Sequence, residues 1–371
     1  MASKKSKKKY DRIIGIDLGN GLVKIRSITR EGRPYFKTLP SAFAFKKDAG
    51  ESMNNKSLDV DVFEIDDVEY VWGLEISKVD DIQNVYGHEG RYKTEAFKIM
   101  AKIVMAKVVH DLEIAPTEKI LIVTGVPSGE TGTSCEEEIA DAFYGEDERG
   151  IHEVAVNEDE HIFKVEHVEV QAQALSTVMG RYLDEEASVE EEGYETWKVA
   201  VIDVGSGTTD LDIVSELRRQ KTYHSVKKGF RDVYNSIREC IRKEFPSHTV
   251  TDYDLLHILE EVEEEATKKG ITYKDREYIY KPSKRAKAVN FKKAMEDGIK
   301  EVVIGIQGAI MDKWKDQTDI DEILLVGGGA HLFEDKISNI VYGITIPANN
   351  GDSNVEGYYR YGVYLNNLEA E

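Results

Sequence analysis

Asp17, Gly19 and Gly21 in the stretch RIIGIDLGNGLVK recur 186 residues later as Asp203, Gly205 and Gly207 in VAVIDVGSGTTD. In both places an apolar, strand-forming run ends in one carboxylate followed by a glycine turn. Glycine lets backbone amides converge on an anion at close range. A carboxylate beside such a turn repels a bare phosphate, so the pairing makes sense when a divalent cation lies between them. Mg²⁺, bound through oxygen or through its own waters, has that preference. One copy alone would read more readily as a strand-ending hairpin turn; two copies point to one ligand shared by two strands. A third apolar run, EILLVGGGAHLF, ends in Gly327, Gly328 and Gly329 without a carboxylate, which suits the approach of a flat ring or a ribose. A nucleoside triphosphate held between two lobes satisfies all three tips.

These tips need elements to carry them. Residues 10–38 read as a β-meander, RIIGIDLG, LVKIRSITR and PYFKTLPSAF, separated by NG and EGRP turns. Residues 40–90 are polar and irregular, with DVFEIDDVEYVWG a predicted hairpin in an inserted subdomain. Phe97, Ile99, Met100, Ile103, Val104, Val108 and Leu112 form a helical stripe with Thr94 available as N-cap. KILIVTGVPSGE reads as a buried strand, followed by a helix that carries Cys135, and HIFKVEHVEVQAQALSTVMGRYLD passes from an alternating strand into a helix. After the acidic stretch at residues 185–197 the plan starts again: strand, phosphate turn, and LDIVSELRRQKTYHSV repeating the meander. Residues 230–270 are predicted helical and end in Lys-Lys-Gly, a C-cap pattern. A long helix through FKKAMEDGIKEVVIGIQGAIMDKWK leads to the third glycine tip, and NNGDSNVEGYYRYGVYL is expected to pack back on the first lobe as a helix. The expected organisation is a basic tail (1–9), a first domain (10–184 with 350–371), an acidic connecting loop (185–197) and a second domain (198–349).

With 371 residues, 41% hydrophobic and 32% charged, the chain fits two globular lobes. Its longest apolar runs are strand-sized or interrupted by Lys, so no membrane span is predicted. MASKKSKKKY has a basic region without an apolar one behind it and does not read as a secretory signal. Cys135 and Cys240 sit in unrelated contexts and the nine histidines lack ligand spacing, which excludes a disulfide framework or a transition-metal site and makes a reducing cytoplasm the expectation. The net charge of −21 argues against direct DNA binding, because phosphate contacts dominate nucleic-acid affinity. If DNA is involved, an adaptor must carry it. KKSKKK at residues 4–9 is expected to be a disordered, solubilising tail.

IDLGNGLVK, VTGVPSGE, VIDVGSGTTD and LLVGGGAHLF, in this order, resemble the two phosphate motifs, the connecting motif and the adenosine motif of the actin, Hsp70 and sugar-kinase superfamily. The length and the SNVEGYYRYG ending are most similar to the ParM-type bacterial actins that segregate plasmids. The resemblance implies an α/β, two-lobed actin-like ATPase fold, each lobe a ribonuclease-H-like mixed sheet flanked by helices, with the nucleotide in the interdomain cleft. It implies that Asp17 and Asp203 hold Mg²⁺ through water. It also implies that Gly19, Asn20, Gly21, Gly205, Ser206, Gly207 and Thr208 cradle the β- and γ-phosphates, and that Lys24 reaches them. Gln173 falls where the family places the residue that orients the attacking water; ParM-type members often have Glu there and actins Gln, and Gln171 is a rival for the role. Gly328 and Gly329, after Gly327, would lie under the base or ribose, and KKGFRDV, with Gly229, falls where relatives contact them from the second lobe. The choice between ATP and GTP stays open.

The function so implied is a filament-forming NTPase of the bacterial cytoplasm that assembles with itself and moves plasmid DNA through a ParR-type adaptor at a centromere. A soluble kinase or phosphatase of the same fold is the alternative; it needs a base to activate an acceptor hydroxyl, for which VTGVPSGE offers Glu130. A chaperone would need a peptide-binding domain after the ATPase lobes. A shape-determining membrane actin is expected to carry an apolar or amphipathic anchor, which the polar N-terminal tail does not provide.

Overall fold

A computed structural model describes residues 9–50, 58–87, 90–145, 150–314, 316–341 and 343–368. Of the expected basic tail, all but Lys9 lies outside the described residues.

The N-terminal runs form the expected meander, β1 (Arg12–Leu18), β2 (Leu22–Ile28) and β3 (Pro34–Pro40). After β4 (Ala42–Phe45) come β5 (Asp61–Ile65) and β6 (Val68–Trp72), the predicted hairpin. Asp66 and Asp67 turn it at φ 51° and 61°, the left-handed pair that a two-residue connection requires. β7 (Gln83–Asn84) precedes α1 (Glu95–Asp111), which begins where the Thr94 side chain accepts a hydrogen bond from the Phe97 N–H. Then follow β8 (Ile120–Val126), α2 (Ser134–Tyr144), β9 (Ile151–Val156), β10 (Asp159–Ala172) and α3 (Gln173–Tyr182). All ten strands share one sheet, in the order β3-β2-β1-β8-β10-β9-β5-β6-β4-β7. The hairpin expected in a separate insert extends this sheet instead, because β5 pairs with β9.

The second half repeats the plan with β11 (Lys198–Val204), β12 (Thr209–Ser215) and β13 (Arg218–Val226), then α4 (Phe230–Glu244) and α5 (Asp252–Lys269). The predicted helix over 230–270 is thus two helices. Pro246 disfavours helical backbone at the residue before it, and Thr251 restarts the chain with reciprocal bonds to Asp254, each backbone N–H donating to the other's side chain, at 2.8 and 3.1 Å. A small pair, β14 (Ile279–Tyr280) and β15 (Val289–Asn290), leads to α6 (Lys292–Lys313), β16 (Glu322–Val326), α7 (Ala330–Ile337), β17 (Ile344–Thr345) and α8 (Ser353–Leu368). The sheet order β13-β12-β11-β16-β17 mirrors β3-β2-β1-β8-β10. In each, the Asp-bearing strand has an antiparallel neighbour on one side and a parallel one on the other.

One core lies between the first sheet, α1 and α2, and another between the second sheet, α4, α6 and α7. On the facing sides, α8 buries Val355 and Tyr358 against Leu121 and Val123 of β8, while α3 buries Ala174 and Val178 against β11, β12 and β16. The layers therefore run sheet, α8, α3, sheet. The two helices touch backbone to backbone: a Cβ on Gly357 would lie 1.7 Å from the Ser176 carbonyl oxygen, so only glycine fits. The acidic connection is a built part of this joint, with Tyr194 buried in a 3₁₀ turn (Glu192–Glu195) and its hydroxyl donating to Glu322.

Candidate nucleotide site

The C-terminal ends of β1, β8, β11 and β16 open into one cleft between the lobes, the place where open α/β sheets present their loops to ligands. Its volume is about 770 Å³, within the range of small-molecule and cofactor sites. Asp17, Gly19, Asn20, Gly21 and Lys24 line it from the first lobe; Asp203, Gly205, Ser206, Gly207 and Thr208 line it from the second, with Gly327, Gly328 and Gly329 beside them. Gln173, the first residue of α3, also lines it. Gln171 does not: it stays on β10, where its amide donates to Glu169 at 2.6 Å. Gly229 stands behind the second loop, where a Cβ would come within 2.7 Å of the Gly205 and Ser206 carbonyl oxygens, and the next residue, Phe230, reaches the cleft.

The two Asp-Gly turns close alike. Gly19 N–H donates to Leu22 O at 3.0 Å, and Gly205 N–H donates to Thr208 O at 2.9 Å. Their tips meet across the cleft, since a Cβ on Gly21 would lie 3.3 Å from the Ser206 side chain. Gly327 adopts φ 108° and passes so close to the Val204 carbonyl, 2.2 Å from a virtual Cβ, that no side chain fits. Between the lobes the Arg231 guanidinium of α4 also stacks 3.8 Å over the Tyr86 ring.

Withdrawal from water raises the pKa of Asp17, and the nearby Asp203 adds to this, while Lys24 and Arg91 oppose it. Asp203 is raised by the same desolvation, opposed by Asn354, which donates to it at 2.9 Å, and by Lys24. Lys24 thus serves both carboxylates, and its ammonium is anchored on the Gly351 carbonyl. Two half-buried carboxylates held above their ordinary range fit a hard divalent cation. Among the described residues no group of three or more acidic, His or Cys side chains could chelate a metal alone. The residues present therefore fit Mg²⁺ that brings further oxygen ligands with it, as a metal–phosphate complex does.

Several cleft residues escaped the sequence reading. Asp210 lies opposite Asp203 in the strand register, and desolvation pushes its carboxyl up to about 7 against hydroxyl contacts from Ser225 and Thr208. Its spacing, seven residues after Asp203, was the available signal. Asn354 sits at the start of α8 and Arg91 in a 3₁₀ turn (Arg91–Lys93) before α1; neither belongs to a recognisable pattern. Leu256, Leu259 and Leu332 give the part of the cleft near the third glycine tip an apolar wall, to which α5 adds Glu260, Glu263 and Glu264.

Residues 15–175 match the family model of the actin like proteins N terminal domain, and residues 201–339 match that of the archaeal actin homologue MreB-like C-terminal domain. No curated protein matches the sequence. Among solved structures the chain is similar to the apo ParM protein of psk41 (19% identity, 97% of this chain and 99% of that chain, TM-score 0.69). It is likewise similar to ParM of Bacillus thuringiensis with ATP (18%, 97% and 99%, 0.68) and to the Alp12 filament structure (15%, 95% and 98%, 0.61). At these identities the likeness is one of fold, and the two-lobed architecture expected from the motifs is the one observed.

Proposed function

We propose, from the premise that this chain is an actin-like protein, that it is an NTPase that binds ATP or GTP with Mg²⁺ in the cleft and couples hydrolysis to its own polymerisation. The observation that carries the reading is the meeting of Gly21 and Ser206: two like turns, one from each lobe, present amides and a carboxylate to the same space. A polyphosphate there would be held by both lobes at once, so binding it favours their closure. Such coupling to assembly requires that the nucleotide bind the free and assembled states with different affinity.

Asp17 and Asp203 would hold Mg²⁺ through water, and the metal supplies charge neutralisation at the phosphates. The amides of residues 19–21 and 205–208 would cradle the β- and γ-phosphates, with Lys24 reaching them from between the two Asp. The Gln173 carboxamide takes no proton at neutral pH; its work is to hold the attacking water in line, and the Tyr358 hydroxyl lies against it. Gly328 and Gly329, facing the apolar wall of Leu256, Leu259 and Leu332, suit a purine.

The likeness to a ParM with ATP and to the Alp12 filament supports ATP as substrate and self-association as the output. The net charge of −21 supports a division of labour in plasmid segregation, where a basic, ParR-type adaptor would hold the DNA centromere. A bacterial cytoplasmic setting agrees with this, and among the described residues no helix is long and apolar enough to cross a membrane. The kinase or phosphatase alternative loses its candidate base: the Glu130 carboxylate accepts the Tyr92 hydroxyl at 2.7 Å and does not line the cleft.

The test is 90° light scattering after addition of Mg-ATP or Mg-GTP over a series of protein concentrations, with phosphate release followed in parallel. A rise above a critical concentration, decaying as phosphate appears, is expected. Turnover linear in protein with no scattering at any concentration would replace this reading with the soluble kinase or phosphatase.

A further inference from the structure

Arg91 is the most deeply buried cation at the cleft. Its side chain is only 9% exposed, and its guanidinium carbon lies 5.2 Å from the Phe97 ring centroid and 5.4 Å from that of Tyr92. Gly87 makes room for its stem, since a Cβ there would lie 2.9 Å from that of Arg91. One terminal nitrogen donates to Asn20 Oδ1 at 2.8 Å, the other donates to the Leu18 carbonyl, and the buried Nε has no partner. Withdrawal from water is the larger effect on it; among the described residues its opposite charges, Asp17 and Glu130, act on it through space without a close ion pair. A guanidinium keeps its proton under all ordinary conditions. Burying one without a close ion-pair partner is costly, and further negative charge arriving beside it lowers that cost.

Both groups that Arg91 grips belong to the first phosphate turn: the carbonyl of Leu18, next to Asp17, and the side chain of Asn20 at the tip. The same Asn20 oxygen accepts the Gly87 N–H at 3.1 Å, so Arg91 and Gly87 together fix its orientation. The arriving charge has a natural candidate in the cleft, which Arg91 also lines. Because the extra phosphate of a triphosphate adds negative charge, a buried cation that lacks a close ion-pair partner favours it over a diphosphate.

Resting on the nucleotide-site reading above, we propose that Arg91 is a positioning residue of that site, which locks the first phosphate turn through Asn20 and Leu18 and biases the cleft toward a nucleoside triphosphate over the diphosphate. Charge and lock are separable by substitution. Arg91→Gln removes both. Arg91→Lys keeps the charge and loses the fork, and Asn20→Ala keeps the charge and cuts one arm of the lock.

The experiment measures dissociation constants for ATP and ADP with Mg²⁺, together with steady-state turnover, in the full-length wild type and these three variants. Arg91→Gln is expected to weaken ATP about tenfold and ADP no more than about threefold, so that the ATP:ADP preference collapses. Arg91→Lys and Asn20→Ala are expected to keep that preference within about twofold while kcat falls more than KM rises. Equal loss for both nucleotides in Arg91→Gln would overturn the proposal, since a purely structural staple acts that way. If Arg91→Gln does not fold, the other two variants decide: an unchanged kcat in both overturns the lock, and a lost preference in Arg91→Lys overturns the charge. A wild type that binds neither nucleotide would instead overturn the site reading itself.

Discussion

The two Asp-Gly turns share Asp, Gly and Gly at the same spacing and close with the same kind of hydrogen bond, yet their surroundings have opposite sign. The first has Lys24 on its own hairpin and the buried Arg91 behind it. The second has Asp210 and Asp212 on the neighbouring strand, both withdrawn from water and raised, to about 7 and about 6. Beyond the two turn carboxylates, the first lobe therefore adds cations to the cleft, and the second adds the Asp210 oxygens. A metal–phosphate complex, negative at one end and positive at the other, matches that polarity, and neither turn alone supplies it. Lys24 links the halves because its charge acts on Asp17 and Asp203 together.

The largest break in this arrangement should come from Asp203→Ala, which removes the carboxylate of the second turn. Phosphate release is expected to fall on the order of 10³-fold, and near-normal turnover would mean that Asp203 has no role at the metal. Next is the joint that sets the spacing of the two turns. Gly357→Ala inserts a methyl where α3 and α8 touch, and a loss of about 3 kcal/mol or more in denaturant unfolding is expected, with nucleotide affinity lost in step. An unchanged midpoint would show that the helices part without cost.

Gln173→Ala leaves both turns intact and removes only the amide proposed to position water. Turnover is expected to slow on the order of 10²-fold at nearly constant nucleotide affinity, with filaments that form and persist. Unchanged phosphate release would move that role to another residue. The smallest effect concerns the acidic side alone. Asp212 is buried; desolvation raises its carboxyl from 3.8 to about 6 despite the Ser128 and Arg219 contacts. The folded state then binds the proton more tightly than the unfolded one, so this group's contribution falls as pH rises from 3.8 through about 6. Comparison of metal-free wild type with Asp212→Asn across that window should show a flatter stability profile in the variant, by at most about 3 kcal/mol. Parallel profiles would mean that Asp212 is better solvated than its burial indicates.

Much of the frame was legible along the chain. Alternation marked the two meanders, Thr94 marked the start of α1, Lys-Lys-Gly marked the end of α5, and SNVEGYYRYG marked a terminal helix returning to the first lobe. Each of these signals is local: a period, a cap or a turn residue. The break between α4 and α5 was also local, in Pro246 and the Thr251–Asp254 box, but the acidic helical pattern around it masked it. Arg91 and Asn354 were not legible, because nothing in their neighbouring residues sets them apart from surface polar groups.

The sequence by itself determined that two strands end in a carboxylate and a tight glycine turn, since strand propensity and glycine backbone freedom act within a few residues. Only the tertiary structure decided that these tips touch, that Gln173 and not Gln171 enters the cleft, and that two like turns have surroundings of opposite charge. Desolvation and the Coulomb field depend on which groups are brought close from distant parts of the chain, and that proximity exists only once α3 and α8 have packed between the two sheets.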